Sequence, residues 1–467
     1  MIFGLGKIFA SGKKTAPKRI TPPVRFRYDA ASNSSDNRNH WAAADFLSAD
    51  AEANADVRKT LRNRARYEVA NNSYAKGMIL TLANDTIGTG PRLQLLSENT
   101  EKNAQIERAF MTWASQIDLS SKLRTIRMAR CRDGEVFILM AQNPVLPADS
   151  VQLDLQIIEA DRVASSNLIL EPNNIDGILL DTHGNPKSYR LLKYHPGSDS
   201  VGFNDSDYSV IPAEYMIHFY RVDRPGQHRG IPEITAALPL FAQLRRFTLA
   251  VLSAAEAAAD FAGILYTDAP AEDPADVEPM DCIELRRNML VTMPDGWKMA
   301  QLDPKQPCSN YSEFKEQILN EIARCLNMPY NIAAGNSSGY NYASGRLDHQ
   351  TYFKSLRVER DVIEGRILDR VFDAWYREYS LLTGITGDVD HVWFWDGFEH
   401  VDPGKEANAI DIKLKNGTTT YAAEYAKIGK DWETELQQIA KEREMMAQLN
   451  ISFEHVNLEQ IEVTEDE

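Results

Sequence analysis

The stretch that decides the fold runs from residue 177 to residue 234: GILLDTHGNPKSYRLLKY (177–194), then, after a polar interval, VIPAEYMIHFYRVDRPGQHRGIPEI (210–234). Ile178, Leu179 and Leu180 precede a His183-Gly184-Asn185-Pro186 turn, and Tyr189, Leu191, Leu192 and Tyr194 follow it. Gly and Asn tolerate positive φ there, and Pro fixes φ while blocking further pairing, so the text reads as a partly buried hairpin. A further strand follows. Pro225-Gly226 and Arg229-Gly230 then break the chain twice before Ile231-Pro232-Glu233, where a proline in a first turn is expected to open a long helix.

Toward the N terminus, Val151, Leu153, Leu155 and Ile157 alternate as a half-buried strand should, and residues 135–140 form an apolar strand after Asp133-Gly134. Helices are expected from Asp56, where Arg58, Arg62 and Arg66 recur every four residues as a basic stripe, over 74–87, over 101–117 with Ile106, Phe110 and Trp113 at helical spacing, and from near Ser121 to Arg132. Residues 50–230 thus make one α+β domain. Residues 1–49 read as an extended basic arm: 1–28 carry Lys7, Lys13, Lys14, Lys18, Arg19, Arg25 and Arg27 with no Asp or Glu, and prolines discourage regular structure.

Toward the C terminus, the helix of 231–263 turns alanine-rich in its second half, which favours helix and close approach of neighbours, and Pro239 marks a kink or the true start. Residues 264–310, rich in Pro, Asp and Glu, read as a small insertion before a second helix over 311–328. There Phe314, Ile318, Ile322 and Leu326 recur at steps of four. Residues 329–345 are small, polar and without formal charge, and read as a flexible loop. A long amphipathic helix follows from Arg346 to Leu382 within 346–400, with the stripe Phe353, Leu356, Ile363, Ile367, Val371, Trp375 and Tyr379. After the apolar run 392–395, residues 401–467 form a helical module, divided at Asn416-Gly417 and Gly429, with an acidic tail.

No run of eighteen apolar residues occurs, so a membrane span is not expected, and the opening Met1-Ile2-Phe3-Gly4-Leu5 lacks the features of a secretory signal. Cys131, Cys282, Cys308 and Cys325 form no C-x-x-C pair, which argues against zinc and a disulfide framework and suits a reducing cytoplasm. Neither a phosphate loop, nor H-E-x-x-H, nor a G-x-S-x-G elbow is present, so neither an enzyme nor a cofactor is expected. The net charge of −16 argues against stable nucleic-acid binding, which needs cations to displace counterions, yet it is compatible with a conduit through which DNA slides without sticking.

In order and wording the hairpin, the IPAE–IH strand and the RPGQ–RG loop resemble the lambda-like portal family of tailed bacteriophages. So do RARYEVANNSYAKGMILTLANDTIGTGPRLQ near the N terminus and DPGKEANA…KNGTTTYAAEYAKIGKDWE in the last module. The resemblance covers about four fifths of the chain and implies an α+β portal-type fold. Its parts would be an α/β wing (50–230), a two-helix stem (231–263 and 311–328), a small α/β clip (264–310), a channel loop (329–345), a long wing helix and strand (346–400) and a helical crown. It implies a ring-shaped homo-oligomer resembling a dodecamer at one capsid vertex, built in the host cytoplasm. Double-stranded DNA would pass through it during packaging and ejection. Its partners would be the terminase large subunit, which supplies the ATP hydrolysis, the major capsid and scaffold proteins, and head-tail connector proteins, with no membrane. Asn331, Asn336, Ser337, Ser338, Tyr340, Asn341 and Arg346 would then meet the DNA as polar groups bordered by a single cation. Lys315, Glu316 and Arg324 are the candidates to line the stem, although Lys315 and Arg324 equally suit ion pairs with Glu313, Glu316 and Glu321. Two other readings stay open: a head-completion or other virion protein that conducts no DNA, and an acidic cytoplasmic hydrolase.

Overall fold

The computed structural model describes residues 39–165, 173–198, 207–260, 264–267, 296–300, 311–339, 341–387, 389–397, 403–430 and 432–449. The chain divides into two units, 1–48 and 49–467. In the first, Ala44 N donates to Trp41 O at 3.0 Å to close a turn, and Trp41 and Phe46 are exposed. The cations of the expected arm lie outside the described residues, as do most of the expected clip and the acidic tail.

The second unit opens with helices α1 (Ala49–Glu52), α2 (Ala55–Asn71) and α3 (Ser73–Ile87). Asn54 caps α2 by accepting from Val57 N, and Asn72 caps α3 by accepting from Tyr74 N and Ala75 N. Strand β1 (Arg92–Leu95), helices α4 (Thr100–Gln116) and α5 (Leu119–Asp133), and strands β2 (Glu135–Gln142) and β3 (Leu153–Glu159) follow. Next come β4 (Asn174–Ile175), β5 (Ile178–Leu180), β6 (Pro186–Leu192), β7 (Tyr208–Pro212) and β8 (Met216–Tyr220). Helix α6 (Leu238–Asp260), strands β9 (Ile264–Thr267) and β10 (Trp297–Ala300), and helices α7 (Tyr311–Cys325), α8 (Tyr330–Ala334), α9 (Tyr342–Ile363) and α10 (Asp369–Thr383) come next. Strand β11 (His391–Phe394) and helices α11 (Pro403–Lys415), α12 (Tyr421–Lys427) and α13 (Trp432–Gln448) complete the order.

All strand pairs are antiparallel, in the orders β3-β2-β8, β4-β5-β6-β7, β1-β11 and β9-β10. Alternation along β2 divides the core: Val136 and Ile138 join an aromatic cluster with Phe110, Trp113, Phe372, Trp375 and Trp393, while Phe137 joins a smaller one with Ile158, Ile178, Tyr189 and Met216. A third cluster joins α3, α6, α7 and α9 through Met78, Leu82, Phe241, Leu244, Ile322, Tyr352 and Leu356.

The hairpin departs from expectation in one detail. Pro186 does not block pairing; it is the first residue of β6 and stands opposite Leu180, where the register shifts. Proline is tolerated at the first position of a strand. The turn is held by the Asp181 carboxylate, which accepts from His183 N and Asn185 N, and Gly184 takes φ +85°. The helix expected from residue 231 begins only at Leu238, after a 3₁₀ turn at Thr235–Ala237, so Pro239 falls in its first turn. The helix does not open at 231 because Glu233 is tied elsewhere, its N–H donating to Cys131 O at 3.0 Å, and residues 232–235 form a turn in which Pro232 O accepts from Thr235 N at 3.0 Å.

The long helix expected over 346–382 runs from 342 to 383 and contains a π-helical turn at Glu364–Leu368. Its stripe is buried as expected from Leu356 to Tyr379, with Tyr352 fully buried and Phe353 only partly so. The wide turn has a visible cause. Trp395 Nε1 donates to Glu364 Oε1 at 2.6 Å and Trp393 Nε1 to Asp369 Oδ1 at 2.9 Å. Trp393 and Trp395 project from one side of the same extended segment, whereas carboxylates five residues apart on an α-helix would diverge by about 140°. One π turn brings them back to a common face.

Candidate functional site

Helices α6 and α7 run antiparallel. Midway along α6, the Phe247 ring lies 5.7 Å from that of Tyr311 and 4.7 Å from that of Phe314 at the start of α7, while Cys325 Sγ at the end of α7 donates to Glu233 O, just before α6, at 3.1 Å. The hairpin is anchored at its base: Phe241, Leu244, Leu319 and Ile322 are buried, whereas Leu249 and Leu252 are exposed. Beyond the helices β9 and β10 pair, Ile264 opposite Ala300 and Thr267 opposite Trp297, so the acidic insertion leaves and returns on a two-stranded ladder. Glu316 and Arg324 are exposed on α7. Lys315 is half-buried instead. Its ammonium lies 5.1 Å from the Tyr74 ring centre and 5.5 Å from that of Tyr311. Burial would lower its pKa, but the contacts with Tyr74 and Tyr311 raise it.

The segment read as one loop over 329–345 has two parts, which corrects the expectation for Asn331. Tyr330–Ala334 form the short helix α8, whose Ala333 and Asn331 are buried and whose Ile332 and Ala334 pack on the helical core cluster. Small apolar residues at consecutive positions fill the space between α3 and α7, and this burial overrides the loop-like composition. Asn331 Nδ2 lies 2.9 Å from His349 Nε2 on α9. Gly335, at φ +62°, ends α8 in the left-handed conformation typical of a C-cap, and Asn336 N donates to Asn331 O at 3.0 Å. The exposed part is therefore shorter. Asn336, Ser337 and Ser338 are exposed, and Ser338 N donates to Asn336 Oδ1 at 2.9 Å. Tyr340 lies outside the described residues. Asn341, also exposed, accepts from Gly345 N at 3.0 Å as α9 begins, and Arg346 is exposed in that first turn.

What fixes this hairpin to the sheets is a buried ionic cluster that the sequence reading missed. The basic stripe of α2 points inward. Arg58 pairs with Asp176, Arg62 with Asp161 at 2.6 Å and Glu135 at 3.5 Å, and Arg66 with Asp133 at 2.6 Å and Asp161 at 2.8 Å. Arg229, 2% exposed, clamps Glu135 at 2.7 Å, reaches Asp176 at 3.2 Å and donates to Val163 O at 3.1 Å. Glu135 also accepts from Gly230 N and lies 2.9 Å from His218 Nε2. Burial alone would raise the Glu135 carboxyl; Arg229 and the His218 hydrogen bond hold it well below the usual range. Burial lowers His218, against the raising effect of Glu135, so its ring is neutral at pH 7. Arg132 adds a second cation on Asp133 at 2.7 Å, and Glu159 lies 3.9 Å from Arg66, so that guanidinium groups and carboxylates alternate through the cluster.

A second knot lies at Glu233. Its carboxylate receives Arg127 at 3.0 Å and Arg130 at 2.8 Å, and Arg130 also pairs with Glu359 on α9. Burial opposes its ionisation, yet these guanidinium groups hold its pKa at about 2. Between the two knots the backbones touch. A Cβ on Gly230 would overlap Gly134 O, and one on Gly134, at φ +90°, would lie 2.5 Å from the Ile231 carbonyl carbon. The strongly shifted carboxylates are thus saturated by arginine within the core, the arrangement of a joint rather than of an acid–base pair. The signal available in the sequence was the RPGQHRGIPE text itself, which places Arg229, Gly230 and Glu233 together.

The family model "Phage portal protein, lambda family" matches residues 35–360, well over half of the chain. The chain belongs to the lambda family of phage portal proteins. The match spans both ionic knots, the helical hairpin and the loop, so these are features of a portal chain and a structural component of phage particles. A probable portal protein of Halomonas phage phiHAP-1 is 25% identical over 429 residues, covering 84% of this chain and 82% of that protein. Among solved structures, a chain in the neck of an empty GTA particle, computed with C6 symmetry, aligns at 14% identity with a TM-score of 0.46, over 77% of this chain and 91% of its own. A chain of the virion of a native gene transfer agent (GTA) particle aligns at 13% identity with a TM-score of 0.44, over 80% and 93%.

Proposed function

We propose that this portal chain assembles as a closed ring of identical copies, twelve in the fully assembled form, at one capsid vertex. Double-stranded DNA is packaged and later ejected through it. The wing comprises residues 50–230 with the long helix and strand of 346–400, the stem is α6 and α7, and the segment 264–310 docks the terminase large subunit. The major capsid and scaffold proteins surround the ring, and connector proteins join it to the tail. The observation that carries the reading is the placement of an exposed, uncharged, hydrogen-bonding loop between the second helix of the hairpin and the long helix, with Asn336, Ser337 and Ser338 at its surface. A surface that slides along phosphates needs polar groups without fixed cations, each of which would add a binding step. A ring needs heterologous contacts whose rotation closes, and the exposed Leu249 and Leu252 of α6 supply apolar surface for such a neighbour.

Two measurements test it. Negative-stain microscopy of the full-length protein should show rings with a central hole wide enough for a duplex; a monomer that remains single even with scaffold and capsid protein present overturns the reading. Deletion of 336–339 should leave ring assembly intact and abolish or sharply reduce packaged DNA. Normal packaging by that deletion removes the loop's role.

A further inference from the structure

The chain leaves α8 at Gly335, makes an exposed excursion, and returns into α9 at Tyr342. Asn331 stands on the outgoing arm and His349 two turns into the returning one, and they meet at 2.9 Å. Asn331 is 8% exposed, so it is not available to a DNA duplex passing outside the subunit core. With Nδ2 donating, the imidazole accepts through an unprotonated Nε2, and Asn331 Oδ1 has no hydrogen-bond partner among the described residues. Among the described residues the amide therefore makes its side-chain hydrogen bond to this one ring. The apolar contacts of Ile332 and Ala333 hold α8 against the core but are not directional, whereas a hydrogen bond between the two arms fixes their register.

We propose that Asn331 and His349 are positioning residues, a clasp across the base of the loop that sets where residues 335–339 are presented, without contact to DNA. The consequence for packaging rests on the channel-loop reading above; the clasp itself does not. Because Asn331 is buried and His349 half-buried, opening the pair leaves a buried amide unpaired, so the closed form dominates.

The test is chymotryptic cleavage after Tyr340 in the full-length protein in its assembled form. Asn331→Leu and His349→Ala should each be cut about five- to tenfold faster than wild type, the factor expected for loss of one buried hydrogen bond. The double variant should be cut no faster than either single one, because the two act through one bond. His349→Gln should restore the slow rate, since Gln Oε1 accepts the same N–H. Unchanged far-UV circular dichroism and oligomer mass separate this from loss of fold. Wild-type cleavage in both single variants, additive rates in the double variant, or a His349→Gln protein cut as fast as His349→Ala overturns the clasp. Packaging by the 336–339 deletion judges the channel reading separately. If that deletion packages normally while the cleavage pattern holds, the clasp stands and its role in DNA passage falls.

Discussion

Two polar regions of this portal chain are built on opposite rules. At the joint between the sheets and the helical hairpin, Glu135, Arg229, Arg62 and Asp161 are withdrawn from water and paired charge against charge. In the loop, Asn336, Ser337 and Ser338 face solvent and carry no charge at all. The first arrangement is costly to disturb, because removing one member strands the others in a medium that solvates them poorly. The second is insensitive by construction. Charge is concentrated where the backbone must hold one geometry and absent where a polyanion is proposed to move past.

The sharpest way to break this comparison is Glu135→Ala, which leaves Arg229, Arg62 and the Gly230 N–H facing an empty acceptor position. The expected loss is about 3–5 kcal/mol of unfolding free energy in a denaturant titration. Glu135→Gln, which keeps acceptor geometry without the charge, should lose less. A loss below about 1 kcal/mol for Glu135→Ala would mean that the joint is held by its apolar clusters alone.

Acid should distinguish the regions next. Glu233 falls from an unfolded value near 4.5 to about 2 in the fold, so its contribution is complete above pH 4.5 and is lost as pH falls toward 2. His218 is also lowered from 6.5; the unfolded chain binds its proton first, so stability begins to decline below pH 6.5. Stability should therefore be flat from pH 7 to 8, weaken below 6.5, and drop by about 3 kcal/mol more below 4.5 from Glu233. Glu233→Gln should start less stable and show a shallower acid limb. An unchanged acid limb in that variant would show that Glu233 is not the titrating group. Gly230→Ala probes the same joint through backbone rather than charge. Overlap with Gly134 O should cost about 1–3 kcal/mol in the same titration, and a neutral result would show that the two backbone segments can part.

Much of the fold was legible because local and tertiary signals agreed. Asn54, Asn72 and Asn99 cap the helices that periodicity placed there, and Gly417 and Gly429 take positive φ where the last helices were divided. The joint was not legible, for a physical reason. Cations at 58, 62 and 66 resemble a solvated stripe, because their partners lie at 133, 135, 161 and 176, on elements brought near only by folding. The π turn escaped for the same reason, since its cause is a pair of tryptophans 24 and 31 residues beyond the carboxylates they hold. Asn331 was misassigned because composition cannot separate a polar loop from a short helix buried by its alanines. His349, its partner, carried no signal of its own. In the candidate site, what composition left unread is the surroundings that folding supplies: the protein around Asn331 and the tyrosine rings around Lys315.

The smallest effect on stability, and the most informative for function, is expected from Ser338→Lys. The side chain is exposed, and among the described residues Ser338 contributes its backbone N–H to Asn336 Oδ1, which the substitution keeps, so folding free energy should change by less than about 0.5 kcal/mol. Packaging should nevertheless slow. In the proposed ring one substitution adds a cation in every copy, each able to hold a phosphate and release its counterion, and added salt should restore the rate by competing for those phosphates. Ser338→Ala, which removes a hydroxyl without adding charge, should package at close to the wild-type rate. If Ser338→Lys packages like wild type at every salt concentration, the loop does not approach the DNA. Its lack of charge would then be an accident of composition rather than a requirement of sliding.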